Sequence, residues 1–529
     1  MCGILITHEL EVGEAVFEAA LDRIRHRGPD ASGRWAGGTT RLGHRRLAIL
    51  DLDERSNQPF TSANGRYTTV YNGEIYNFRE LREQFGLTCR TTSDTEVVVE
   101  LYQRLGHRML EHLNGMFAFV IYDHQTNQVF AARDRLGIKP LYFMQRGDGV
   151  AFASEIAPLL DLFGGGGIDL LGVRQYLKAR AFFHGRTLYK DISMLPPGHY
   201  WDNGTVRCWW KLADPSGDRV VDDSEVEALV RSAVSYRCIS DVPVGSYLSG
   251  GLDSTIIAGL AAKPDTWTVG FAEMNEFEYG RIAAEAFGAT HTEVLLDRDT
   301  FRRTAAEMVA VRGEPLSVPN EVLIYEMTRA VKTRNTVVLS GEGADELFFG
   351  YDRIFRWAEA NPWDLREFDS RYSYGSHIDD EILEEILGPV SHISGCLNRV
   401  AHFFQLHHLH GLLRRVDNST MRCSVEARVP FVDHRLVEYM NGVSFDYRMS
   451  GGVVKAPLKR IFGPMLPEIV VTRKKVGFPV PLESIFEDRS GQQTGMDAWL
   501  EFNMSLLLGD QWPAIREELA PLTGTRSHQ

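Results

Sequence analysis

Cys2 directly follows the initiator and precedes Gly3 and a small apolar strand. Removal of Met1, expected because the second side chain is small, would leave one residue carrying both a thiol and a free α-amine. Their ordinary pKa values lie close together, at ~8.5 and ~8, so one residue could supply nucleophile and general base. Taken alone, Cys2 reads as an ordinary buried thiol. Tyr71-Asn72-Gly73-Glu74-Ile75-Tyr76-Asn77 pairs a side-chain amide donor with an unobstructed backbone N–H. Two such donors are what a tetrahedral oxyanion needs. Arg46 lies in Gly43-His44-Arg45-Arg46-Leu47, and Asp94 opens a helix in Thr92-Ser93-Asp94-Thr95-Glu96. Each has a plainer reading: a hairpin turn at Asn72-Gly73, a solvated arginine, a helix N-cap.

A second set lies further on. Tyr247-Leu248-Ser249-Gly250-Gly251-Leu252-Asp253-Ser254 sits between a predicted strand and a predicted helix. Its glycines permit close backbone approach to phosphate, its serines offer hydroxyls, and the helix offers its amino end. It has neither GxxxxGK[ST] nor GxGxxG spacing. Leu339-Ser340-Gly341-Glu342-Gly343-Ala344-Asp345-Glu346-Leu347 follows another strand. Three carboxylates so close together call for a cation, and Mg²⁺ bound with nucleotide phosphates is the natural partner. Lys455 would be a point charge suited to a leaving pyrophosphate, or simply a surface lysine.

The elements that would position these residues fall into two groups. Short strand-type runs at 116–122, 128–132, 141–144 and 150–153, interrupted by a helical patch at 95–104, predict layered antiparallel sheets over the first ~200 residues. Residues 206–222 read as a linker. Ser224 and Glu227 have capping-box spacing for the helix that follows. Strands at 244–248, 267–271, 292–296 and 337–339 alternate with helices at 254–262 and 279–287, which predicts a parallel sheet with ligands at its carboxyl edge. The last ~150 residues read as mostly helical. His402, His407, His408 and His410 read as polar, partly packed helix positions.

Composition narrows the classes. Hydrophobic residues make up 44% and charged residues 24%, ordinary for a globular protein. Lys+Arg 57 against Asp+Glu 71 gives −14, with no long basic run, so nucleic acid is not an expected partner. Six Cys with no CxxC pair suggest neither a disulfide framework nor a structural zinc. No signal peptide or run of ~18 apolar residues is seen, so the expectation is a reduced, cytoplasmic protein without a membrane partner.

The first set of motifs, with Arg133-Asp134-Arg135-Leu136-Gly137-Ile138-Lys139-Pro140 and Ser154-Glu155, resembles the glutaminase domain of class II glutamine amidotransferases. SGGLDS resembles the pyrophosphate loop of ATP pyrophosphatases. Together with Ser424-Val425-Glu426-Ala427-Arg428-Val429-Pro430-Phe431 and Arg473-Lys474-Lys475-Val476-Gly477-Phe478, the chain resembles the glutamine-hydrolysing asparagine synthetase family from Cys2 to about Pro481.

That resemblance implies an N-terminal-nucleophile αββα sandwich over 2–205 and an adenine-nucleotide α-hydrolase-like doubly wound sheet with a helical C-terminal part over 223–529. It implies that Cys2 attacks glutamine, that Asn72 and Gly73 hold the oxyanion, and that Arg46, Asn72, Glu74 and Asp94 bind glutamine. It further implies that Leu248, Ser249, Gly250, Gly251, Asp253, Ser254, Val269, Ser340 and Gly341 bind ATP, with Asp253 and Asp345 on Mg²⁺. Glu342 would assist ammonia attack and Lys455 would stabilise the transition state. Glutamine and aspartate or another small carboxylate are the implied partners, with a homodimer left open. Asn275-Glu276, Phe348-Phe349-Gly350-Tyr351 and 312–321 depart from the family pattern and leave the acceptor open between aspartate, a sugar uronic acid and a secondary-metabolite acid. A β-lactam-type synthetase or a non-catalytic scaffold fits less well, because Cys2 and SGGLDS are both kept.

Overall fold

The computed structural model describes residues 2–215, 219–262, 264–474, 479–487, 494–522 and 524–525. Met1, Ser216 to Asp218 of the expected linker, and Lys475 to Phe478 of the quoted basic motif lie outside the described residues.

The first region contains, in chain order, β1 (Gly3–His8), α1 (Glu14–Asp22), β2 (Ala31–Gly37), β3 (Thr40–Arg46), β4 (Phe60–Thr61), β5 (Tyr67–Ile75), α2 (Phe78–Gln84), α3 (Asp94–Leu105), β6 (Gly115–Asp123), β7 (Gln128–Arg133), β8 (Tyr142–Arg146), β9 (Gly149–Ala153), α4 (Ile156–Phe163), α5 (Leu170–Ala179), β10 (Ser193–Met194), β11 (His199–Asp202) and β12 (Thr205–Cys208). The strands form two antiparallel sheets, ordered β10-β8-β9-β1-β3-β2 and β12-β11-β7-β6-β5-β4. Strand alternation decides the layers. Ile4, Ile6, Val70, Ala118, Val120 and Phe152 meet between the sheets. Leu5 and Ala153 face Phe17 of α1 and Leu159 of α4. Tyr71, Phe117 and Phe119 face Phe78 of α2 and Val98 of α3. This is the expected αββα sandwich.

The second region adds α6 (Asp223–Arg237), β13 (Val244–Tyr247), α7 (Leu252–Leu260), β14 (Thr266–Phe271), α8 (Phe277–Phe287), β15 (His291–Leu296), α9 (Arg298–Arg312), α10 (Asn320–Val331), β16 (Val337–Leu339), α11 (Ala344–Leu347), β17 (His377–Ile378), β18 (Glu426–Arg428) and β19 (Gly524–Thr525). β15-β14-β13-β16-β18 is parallel throughout. Trp267, Val269 and Phe271 pack on one face against Phe301 of α9 and Val322 of α10. Leu248 and Leu339 belong to the opposite layer with Val230 of α6, Ile257 of α7 and Ala283 of α8. The chain winds outward from β13 to β15 and then returns to β16. The carboxyl ends of β13 and β16 therefore flank the switch point, where such sheets bind ligands. SGGLDS and SGEGADE follow these two strands.

Some local expectations change. The cap of α6 is Asp222, whose carboxylate accepts from Ser224 N at 2.8 Å, so Ser224 lies inside the helix. Ser93 caps α3, and Asp94 is its first helical residue. β12 continues to Cys208, beyond residue 205. α5 packs away from the sandwich: Val173 and Tyr176 join the core with Phe301 and Val322. Arg174 grips Asp379 with two hydrogen bonds of 2.8 Å, and Lys178 lies 2.7 Å from Asp369. The four histidines lie on one continuous helical stretch, Cys396–Phe403, a π-helical turn Phe404–His408, and Leu409–Met421.

Candidate functional sites

Asn72 and Gly73 lie in mid-strand, not in a turn. Asn72 has the parity of Val70, so its side chain enters the layer between the sheets, where Cys2 leads into β1. Its Oδ1 accepts from Cys2 N at 2.9 Å, while its Nδ2 is buried without a partner. The N–H groups of Tyr71 and Ile75 point off the free edge of β5 and are capped by Gln58 Oε1 (2.6 Å) and Asp94 Oδ2 (2.8 Å). By alternation the Gly73 N–H between them points the same way. A Cβ at Gly73 would collide with Met116 O and lie 2.7 Å from Phe117 Cα, so β5 and β6 can approach this closely only at glycine. Two donors thus converge beside Cys2, one of them an unsatisfied buried amide whose desolvation cost a developing oxyanion would relieve. Burial pushes the Cys2 thiol up, so it rests protonated and needs a base to react.

The other expected glutamine contacts line the same small cavity as Cys2: Arg46, Glu74 and Asp94, together with Gln58 and Tyr71. Asp94 also accepts from Tyr71 OH at 2.8 Å. Burial, then the charges of Glu426 and Asp94, push the Glu74 carboxyl well above the usual carboxylate range. Arg46 is already engaged by the protein. Its terminal nitrogens donate to Asp53 O (2.9 Å), Asn57 Oδ1 (2.8 Å), Leu50 O (3.2 Å) and Asp51 O. A substrate carboxylate would have to displace part of this latch on the 50–57 segment.

At the second centre, Gly250 has φ 70°, and a Cβ there would run into Tyr279. Gly251 begins α7 with no side-chain cap, its N–H donating to Ser249 Oγ at 3.2 Å, and Ser249 and Ser254 hydroxyls lie 3.3 Å apart. Across the switch point, a Cβ on Gly341 would stand 3.2 Å from Asp253 Cβ and 3.3 Å from Ser254 N. The loops form a cradle that side chains would fill, and its donors suit a pyrophosphate. Leu248 and Val269 are buried in the core, so it is their backbone that is available to face a nucleotide.

Lys455 ties the two loops together, pairing with Asp253 and, at 2.5 Å, with Asp345. Burial favours the neutral amine, but the two carboxylates outweigh it and hold the ammonium above the ordinary lysine range. A Cβ on Gly350 would collide with Asp345 and Lys455. Phe349, one of the residues that depart from the expected pattern, has a left-handed φ of 57°. Its ring stacks on Phe355 with centroids 4.1 Å apart, and the Arg448 guanidinium lies 4.3 Å from its centroid. Glu342 accepts from Arg415 at 2.8 Å, and Arg415 also reaches Asn320 Oδ1 at 3.2 Å. Among the described residues no group of three or more His, Cys, Asp or Glu is placed to hold a metal ion. Asp253 and Asp345 could hold Mg²⁺ only together with phosphate oxygens.

The unusual 312–321 stretch turns inward. Arg312 lies 2.7 Å from both Glu314 and Glu321, all buried or nearly so, and only Asn320 touches Arg415. Glu276 pairs with Arg473, which also donates to Gly250 O at 3.2 Å and lies 3.8 Å over the Tyr279 ring. Tyr279 carries no local signal of this contact, because an aromatic on a helix reads as core.

The centres are joined by buried polar contacts. Arg27 pairs with Glu155 (3.1 Å) and Asp417 (2.8 Å), and Lys139 reaches Asp417 at 3.3 Å. Arg428 of β18 lies 3.6 Å from Glu74, while its carbonyl accepts from Ser340 N at 2.8 Å. Glu426 and Arg428 stand in a quoted motif, but nothing local in it signals this bridging role.

Residues 1–210 match a family model described as a glutamine amidotransferase domain, and residues 225–497 one described as asparagine synthase. A putative asparagine synthetase [glutamine-hydrolyzing] of Mycobacterium tuberculosis is 32% identical, over 91% of this chain and 88% of that protein. Asparagine synthetase [glutamine-hydrolyzing] 3 of Bacillus subtilis is 29% identical, over 90% and 87%. Amidase chry2 of Gibberella zeae is 29% identical, over 85% and 83%. A solved glutamine phosphoribosylpyrophosphate amidotransferase from B. subtilis covers 67% of this chain and 78% of its own, at 18% identity and a TM-score of 0.31, too distant to bear on the argument. With both domain models in sequence, and a relative above 30% identity along nearly the whole chain, the protein belongs to the glutamine-hydrolysing asparagine synthetase family.

Proposed function

We propose that Cys2 hydrolyses the glutamine side-chain amide with its own α-amine as proton shuttle, and that the ammonia aminates a carboxylate activated as acyl-AMP at the second centre. The oxyanion would lie between Asn72 Nδ2 and Gly73 N–H. Glu74 and Asp94 would hold the rest of glutamine, with Arg46 on its α-carboxylate. The Ser249–Ser254 loop with Ser340 and Gly341 would hold ATP, whose Mg²⁺, shared with Asp253 and Asp345, would neutralise the phosphates. Lys455 would shift from those carboxylates to the leaving pyrophosphate, and Glu342, held by Arg415, would assist ammonia attack. The acceptor in this reading is the β-carboxylate of aspartate. A reducing cytoplasm fits the six free cysteines, including Cys2. Among the described residues no helix is long and apolar enough to cross a membrane.

One observation carries the reading: a single chain places an unsatisfied buried amide, Asn72 Nδ2, beside Cys2 and a glycine-lined cradle at a sheet switch point. The test is a carboxylate screen with glutamine and ATP, scoring AMP and pyrophosphate. Release with aspartate is expected. ADP in place of AMP would overturn the pyrophosphatase reading, and turnover of a uronic acid without turnover of aspartate would replace the acceptor.

A further inference from the structure

The cavity at Cys2 measures about 20 Å³, room for little more than one water, so its walls must move before glutamine fits. Leu50 lines this cavity and also a cleft of about 540 Å³, a size usual for small-molecule sites. The cleft's remaining lining comes from α2 and its flanks (Phe78, Arg79, Arg82, Glu83, Leu87), from Thr92, and from Asp241 of the second region. Thr92 and Asp241 are already engaged: Thr92 donates to Asp51 at 2.8 and 2.9 Å, and Asp241 accepts from Asp51 N at 2.8 Å. These bonds hold the Leu50–Asp51 partition in place. Arg82 donates to Thr91 O at 3.3 Å, which leaves most of its guanidinium uncommitted. Among the described residues, Arg79, Arg82 and Glu83 take part in no ion pair. Spacings of three and four residues put all three on one face of α2.

We propose that this cleft is a docking vestibule for the α-amino-acid end of glutamine, a second amino-acid site outside the one at Cys2. Two guanidiniums suit an α-carboxylate and one carboxylate suits an α-ammonium. Half-buried Leu87, with the edge of Leu50, offers apolar surface to the side-chain methylenes. Docked glutamine would lie against Leu50, and the carboxylate that Arg79 and Arg82 first capture could pass to Arg46 once the 50–57 segment gives way. The proposal rests on the glutaminase reading of Cys2.

The full chain separates the two ideas. Glutamate release by the unsubstituted protein reports on Cys2, and the glutamine KM of the R79A/R82A double variant reports on the vestibule. The expected result is a KM about tenfold higher with kcat unchanged, unchanged ammonia-dependent synthesis, and recovery of most of the loss in R79K/R82K. Calorimetric titration of the Cys2→Ala chain with glutamine, with and without R79A/R82A, reads the same loss without turnover. A KM within twofold of the unsubstituted value overturns the vestibule. So does a matching fall in ammonia-dependent synthesis, which would place the arginines in the fold instead.

Discussion

The two centres are prepared in opposite ways. At Cys2 the reactive geometry is written in strands: register fixes Asn72 and Gly73 opposite Ala118 and Phe117, and an unsatisfied amide waits in a dry layer. At the switch point it is written in loops, and the charges neutralise one another, Lys455 standing between Asp253 and Asp345. The difference follows from the ligands proposed for each. A single developing negative charge can be met by fixed neutral donors without repulsion in the empty state. A polyanion with its metal needs several charges of both signs, which must be held by each other until it arrives.

Substitutions can break this contrast. Cys2→Ala should have the largest effect, at least about 10⁴-fold on glutamine-dependent synthesis, with synthesis from free ammonia retained; equal loss from both nitrogen sources would show that the centres are not separable. Lys455→Ala should lower AMP formation from either source by about 10³-fold while glutamate release continues, because it leaves two half-buried carboxylates unneutralised. Asn72→Ala should lower kcat for glutamate release by about 10²-fold with little change in KM, since the amide donates only to the oxyanion.

Acid should distinguish the regions more gently. Burial lowers His402 and His407 to about 4 and His408 and His434 to about 3 in the second region, and His44 to about 3 in the first. These folded values lie below the unfolded ~6.5, so stability is fully present above pH 6.5 and is lost as pH falls toward 3. Hydrogen exchange between pH 6.5 and 5 should show the helical stretch of the second region losing protection before the sandwich does. Phe349→Gly should leave the chemistry least changed and cost about 3 kcal/mol in urea unfolding, because relief of the left-handed backbone offsets only part of the lost burial and stacking.

Legibility also differed between the regions. In the second, local patterns mapped closely onto elements: 337–339 is the observed strand, and the helix expected at 254–262 is Leu252–Leu260. Parallel βα alternation announces itself in short apolar runs, and the glycine loop declares its position at a strand end. In the first, Cys2, Asn72 and Asp94 were recognisable as residues, but their geometry was not. Asn-Gly ordinarily signals a turn, and only pairing with β6 keeps it in a strand. The bonds of Arg46 run to nearby backbone carbonyls whose placement depends on how the 50–57 segment folds back. The α5 excursion and the Glu74–Arg428 contact join residues far apart in sequence, beyond any local periodicity.

β18 is three residues long, yet Arg428 faces Glu74 of the Cys2 cavity with its side chain and Ser340 of the second centre with its carbonyl. A single residue thus spans the distance between a wall of one pocket and a loop of the other. A shift of either pocket's wall would reach the other without a hinge between them.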